Sequence, residues 1–177
     1  GGNADAVLTK LASDGASLLF STYLGGSGNE SAMGLARDTN GYIYLVGDTW
    51  SGDFPTINAP NVLSGPSDAY LAKFDEDGAR VASALIGGSG FEYATHVIAD
   101  HPLYEAHVAG ITSSPDFPGT PNGTFGGISD AWLARVLTRG EVNGHVTALC
   151  PGNADAPMES VAVEIWTVPG PIVIRAA

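Results

Sequence analysis

Residues 5–67 read DAVLTKLASDGASLLFSTYLGGSGNESAMGLARDTNGYIYLVGDTWSGDFPTINAPNVLSGPS, and the chain then begins the same phrase again. Asp5-Ala6 returns as Asp68-Ala69 and once more as Asp130-Ala131. Gly25-Gly26-Ser27-Gly28 returns as Gly87-Gly88-Ser89-Gly90, and Asp53-Phe54-Pro55 as Asp116-Phe117-Pro118. The period is about 62 residues, the signature of a repeat architecture. Three units follow, 5–67, 68–129 and 130–177, which read as one domain over 1–177.

Within the first unit, DAVLTKL alternates apolar and polar residues, the pattern of a half-buried strand. Asp14-Gly15 marks a turn, and Leu18–Leu24 is a second strand that ends at the glycine bend. Ala32–Arg37 is a short third strand. Asn40-Gly41 suits a type I′ hairpin turn, and Tyr42–Thr49, rich in β-branched and aromatic residues, is a fourth strand. A long connection with Pro55, Pro60 and Pro66 leads into the next unit.

The second unit repeats this order with Asp68–Phe74, Val81–Ile86, Tyr93–Ala99 and His107–Thr112. The third is degenerate. Asp130–Val136 and Val142–Leu149 stand for its first two strands. Cys150-Pro151-Gly152-Asn153 replaces the glycine bend. Ser160–Val168 and Pro171–Ala176 stand for strands three and four. No stretch keeps apolar residues at helical spacing for three turns. The sequence therefore predicts an all-β, propeller-like fold of three repeats of four antiparallel strands.

The recurring set DAxLxK, DG, YLGGSGNE, DTNG, YIYLVGDT and DFP resembles the bacterial seven-bladed β-propeller repeat of secreted and surface proteins. The resemblance covers Asp5 to Ser129 well and the third unit weakly. It implies a propeller, an extracellular or cell-surface location, and no catalytic residues. It also implies that the strand after the glycine bend is innermost. Each blade then takes its two inner strands from one unit and its two outer strands from the next. The expectation is two full blades between half-blades, with outer strands only at the N-terminus and inner strands only at the C-terminus.

Three blades are too few to close a ring, since propellers generally have about four to eight. The half-blades are therefore expected to find each other between copies, because open strand edges are templates for pairing. Such head-to-tail contact makes a ring or a filament. The alternative is that the chain is a piece of a longer multi-bladed protein, and its start at Gly1-Gly2-Asn3 fits a processed form or such a piece.

Composition narrows the partners. Seven basic residues stand against 19 acidic ones, a net charge of -12. That argues against nucleic acid and anionic membrane, which need cationic surface. No apolar run reaches the length of a membrane span. Cys150, the single cysteine, has no intrachain partner and reads as a small hydrophobe.

No catalytic constellation or bound metal is predicted. His96, His101, His107 and His145 lack zinc spacing, and no GxSxG elbow occurs. Asp14, Asp38, Asp75 and Asp77 put oxygens in turns that calcium could use, though none fits the twelve-residue calcium loop. Asp5, Asp68, Asp130, Gly25, Gly26, Gly87 and Gly88 recur and read as structural. So do Asp53, Phe54, Pro55, Asp116, Phe117 and Pro118, since a residue repeated in every blade does not mark a unique site. Trp50, where a strand enters a loop, is the candidate for stacking on polysaccharide, while Trp132 reads as a packing residue. Asn29 and Asn122 sit in glycosylation sequons. The expected role is a non-enzymatic structural protein that assembles with copies of itself. A polysaccharide- or protein-binding module is the alternative.

Overall fold

The computed structural model describes residues 1–57, 59, 62–100, 105–118, 125–137 and 163–167. They form an antiparallel all-β protein of ten strands. β1 (Ala6–Leu11) and β2 (Leu18–Leu24) make a two-stranded ribbon. β3 (Glu30–Arg37), β4 (Ile43–Thr49), β5 (Asp68–Phe74) and β6 (Arg80–Ile86) form one four-stranded sheet in sequence order. β7 (Glu92–Asp100), β8 (Glu105–Thr112), β9 (Asp130–Leu137) and β10 (Val163–Thr167) form another. The long connection therefore falls in the middle of each sheet, between β4 and β5 and between β8 and β9.

The sheets pack face to face, and the pattern of burial follows from that. Every residue of β4 and β5 is buried, because this sheet is covered on both sides. On one side Ile43, Leu45, Tyr70, Ala72, Phe74 and Phe54 meet Ala6, Leu8 and Leu24 of the ribbon. On the other, Tyr44, Val46, Ala69, Leu71 and Ile86 meet the second sheet.

The two seams are one contact used twice. Ala6, Leu8 and Leu24 of the first correspond to Ala69, Leu71 and Ile86 of the second, and Leu45, Phe54 and Tyr70 correspond to Val108, Phe117 and Trp132. Phe54 stacks on Tyr70 at 4.9 Å and Phe117 leans on Trp132 at 5.3 Å. Each large side chain buried here contributes about 1.5–3 kcal/mol. Backbone links also recur: Glu30 N–H donates to Ala4 O at 2.8 Å, and Glu92 N–H to Ser67 O at 3.1 Å.

The hairpin at Asp38–Tyr42 differs from the expected two-residue type I′ turn. Gly41 N–H donates to Asp38 O, so Thr39 and Asn40 are the central residues, and Gly41 follows at φ 94°. The Asp38 carboxylate accepts the Asn40 and Tyr42 N–H groups, which favours this longer turn. Asp75–Gly78 repeats the same arrangement.

The third unit also differs from expectation. Val163–Thr167 lies in the stretch read as an inner strand of a further blade, but it pairs antiparallel with β9 as the fourth strand of the second sheet. The stretch expected in that place, 142–149, and the expected final strand, 171–176, lie outside the described residues. The third unit has lost the glycine bend that marks where inner strands begin, so its alternating sequence VEIWT fits either role. Among the described residues there is thus a two-stranded ribbon at the N-terminal end and a four-stranded sheet at the other.

Candidate functional site

The glycine bends sit where the long connections leave the sheets, and a hydrogen-bonded clasp is built at each. Glu30 opens β3 opposite Thr49, the last residue of β4. Its buried carboxylate accepts the Thr49 hydroxyl at 2.6 Å, the Ser51 hydroxyl and Gly26 N–H at 3.0 Å. Ser51 Oγ accepts Gly28 N–H at 2.7 Å, and Thr49 Oγ1 accepts Ser51 N–H at 3.0 Å. Asp53 Oδ1 takes both the N–H and the hydroxyl of Ser27, at 2.7 and 2.8 Å.

The second bend copies this atom for atom. Glu92 accepts from Thr112, Ser114 and Gly88 N–H, Ser114 Oγ accepts Gly90 N–H, and Asp116 accepts twice from Ser89. Both oxygens of Glu30 are engaged by donors, which suits fastening a connection rather than moving protons. The Ser27 and Ser89 donors hold Asp53 and Asp116 below the usual carboxylate range, the backbone N–H most and the hydroxyl next.

Asp5 and Asp68, which precede and open outer strands, lie against the same bends. Asp68 accepts Ser64 N–H at 2.9 Å and Gly65 N–H at 3.3 Å, and Asp130 accepts Gly126 N–H at 2.8 Å. Asp5 faces the amino group of Gly1 at 3.0 Å. Gly25 and Gly87 leave room for them: a Cβ at Gly25 would strike Glu30 and Asp5, and one at Gly87 would strike Asp68. A Cβ at Gly26 would strike Asp53 and Ser51, and one at Gly88 would strike Ser114 and Asp116. Burial first, then the nearby charge of Glu92, pushes Asp68 up. Pro55 and Pro118 carry the chain away from each clasp, and Ser83 Oγ ties Pro55 O to β6 at 2.8 Å.

In the acidic turns one carboxylate oxygen accepts from the turn's own backbone, Asp14 from Ala16 N–H, and Asp38 and Asp75 as described, while Asp38 Oδ2 accepts the Tyr44 hydroxyl at 3.1 Å. Among the described residues no group of three or more His, Cys, Asp or Glu side chains is brought together to hold a metal. His107 stands 3.5 Å from Glu105, and Arg135 reaches the same carboxylate at 3.2 Å. His101, Asn122, His145 and Cys150 lie outside the described residues. Asn29 is exposed, and its carbonyl accepts Trp50 N–H at 3.0 Å just before β3 begins.

Trp50 does not stand alone. Its ring lies against that of Phe91 across the seam between the two sheets, 5.7 Å between centroids and tilted by 54°. Its indole N–H donates to Asp48 Oδ2 at 3.2 Å. Burial pushes Asp48 up, against the pull of that bond. Phe91 gave no signal in the sequence, because its counterpart in the first unit is Asn29. The Glu30 clasp did leave one: Glu, Thr and Ser recur together as Glu30, Thr49, Ser51 and Glu92, Thr112, Ser114.

Residues 19–55 match the family model described as Beta-propeller repeat. The matched stretch runs from β2 through the first clasp to Pro55, so it covers the bend, both inner strands and Asp53. The chain thus carries a β-propeller repeat, which together with the antiparallel sheets suggests a propeller module. No curated protein matches the chain. No helix among the described residues is long and apolar enough to cross a membrane.

Proposed function

We propose that this protein is a non-enzymatic structural propeller module of the cell exterior. It associates head to tail with copies of itself into a filament, sheath or ring. The observation that carries the reading is that positions buried at the internal seam are bare at both ends. Leu133 is 42% exposed where its counterpart Leu71 is 5%. Ile111 and, one strand further across the sheet, Ile98 lie bare on the same outer face. At the opposite end Val7, Leu11, Leu19 and Tyr23 of the ribbon are exposed. The inner edge of β1 also carries no strand among the described residues, although β5 and β9 are laddered there to β4 and β8.

Apolar faces and an open edge at opposite ends are complementary, and contact between them is heterologous. The open edge suits strand addition from a neighbour. The repeated, fully hydrogen-bonded clasps support a scaffold rather than a unique reactive centre. The extracellular placement rests on the likeness to repeats of secreted and surface proteins. Light scattering and electron microscopy of the purified chain test the assembly. Growth into oligomers or threads is expected, with Ile98→Asp or Tyr23→Asp shifting the population to monomer. A folded monomer at every concentration would sink the reading.

A further inference from the structure

The pairing of Trp50 with Phe91 breaks the repeat, and repeats are broken where something unique is needed. The counterpart of Trp50 in the second unit is Ser113, and that of Phe91 in the first unit is Asn29. Every backbone bond around the two rings is nonetheless kept. Trp50 N–H donates to Asn29 O, as Ser113 N–H does to Phe91 O. The aromatic rings are additions to an unchanged frame.

These rings are half open to solvent, 46% for Trp50 and 39% for Phe91, and they are held firmly. Asp48 fixes the indole through its N–H, and the Phe91 ring packs against that indole with 5.7 Å between centroids. A fixed pair of rings loses little entropy when a ligand settles on it. The half-open ring faces suit a ligand with an apolar face, as a pyranose ring has, with hydroxyls left free for the polar surface around them.

We propose that Trp50 and Phe91 form a binding site for a neutral hexose polymer, one pyranose ring stacking on the indole and its neighbour resting against the phenyl ring. The tilt between the rings matches a bent contact along successive sugars rather than a flat slot. The charge of -12 disfavours uronates and sulfated glycans. The site is independent of head-to-tail association, since neither ring belongs to an end face.

Calorimetry and tryptophan fluorescence with cellohexaose, laminarihexaose, maltohexaose and chitohexaose test it, with a galacturonate hexamer as the charged comparison. At least one neutral hexamer is expected to bind with Kd between about 10 μM and 1 mM. Trp50→Ala should weaken binding about tenfold or more, as expected for loss of a stacked ring. Phe91→Ala should weaken it less, and Trp50→Phe should retain most of it, which also shows that the seam still folds. Failure of all four neutral hexamers to bind at about 5 mM overturns the proposal. So does binding that survives Trp50→Ala, or preference for the galacturonate.

Discussion

Leu35 and Val97 hold the same place in successive sheets, Leu35 opposite Leu45 and Val97 opposite Val108, yet Leu35 is 61% exposed and Val97 9%. Side-chain chemistry does not explain the difference. Tyr44 and Val46 of the preceding sheet cover Val97, whereas the ribbon ahead of Leu35 has no inner strands among the described residues. Val97→Ala should therefore cost about 1.5–3 kcal/mol in urea denaturation of dilute protein. Leu35→Ala should stay within about 0.5 kcal/mol. If a copy covers that place, Leu35→Lys will raise the concentration needed for association while leaving the dilute melt unchanged.

The clasps should dominate the stability of their bends. Glu30→Ala removes the acceptor of two hydroxyls and one N–H inside the protein, a loss of about 2–5 kcal/mol. Glu92→Ala should cost a similar amount, because its partners are the same. Glu30→Gln keeps an acceptor oxygen and should fall between. Chemical denaturation of the three variants checks the order.

Stability should vary with pH in two opposed ways. Asp53 and Asp116 are held low in the folded state, so their contribution is present above the unfolded carboxylate range. It is lost as pH falls through their depressed values. Asp48 and Asp68 are raised by burial, so the folded state binds their protons more tightly than the unfolded one. Their contribution is full below the unfolded value and lost as pH rises through the raised one. Asp48→Asn should accordingly raise Tm at pH 7, by roughly 2–4 °C per kcal/mol regained, with the gain gone below about pH 3.5. A gain that is the same at both pH values would contradict this assignment.

Two glycines separate close approach from empty space. Both inner strands bulge, β3 between Ala32 and Gly34, and β7 between Ala94 and His96. Gly47 lies across from the first bulge, where a Cβ would land on Ser31 O. Gly47→Ala should cost about 3 kcal/mol or more, or prevent folding, because backbone must shift. Gly52→Ala meets nothing within 4 Å and should be near neutral. Thermal melts of the pair give the comparison.

Much of this architecture was readable because it is written twice. The hairpin residues and apolar alternation placed the strands of units one and two, and the resemblance to the propeller repeat, not spacing, divided inner strands from outer ones. Phe54 and Phe117 lie in the seams, buried against Tyr70 and Trp132. The third unit was harder for a physical reason. Without its bend, VEIWT carries only an alternation, which suits any strand beside an open edge, and β9 offered one. The turn at Asp38 depended on side-chain capture of two N–H groups, which an Asn-Gly pair does not disclose. Phe91 was invisible because a partner across a seam has no fixed distance in sequence from Trp50.

The connections fall inside the sheets, between β4 and β5 and between β8 and β9, and this governs what happens when the backbone is cut. A protease that nicks residues 113–129 separates no domain. The pieces stay zipped along the ladder from Glu105↔Leu137 to Thr112↔Asp130. Such a molecule would run as two bands on a denaturing gel and travel as one body in native buffer. Damage tolerance of this kind is set by strand order, without any covalent crosslink.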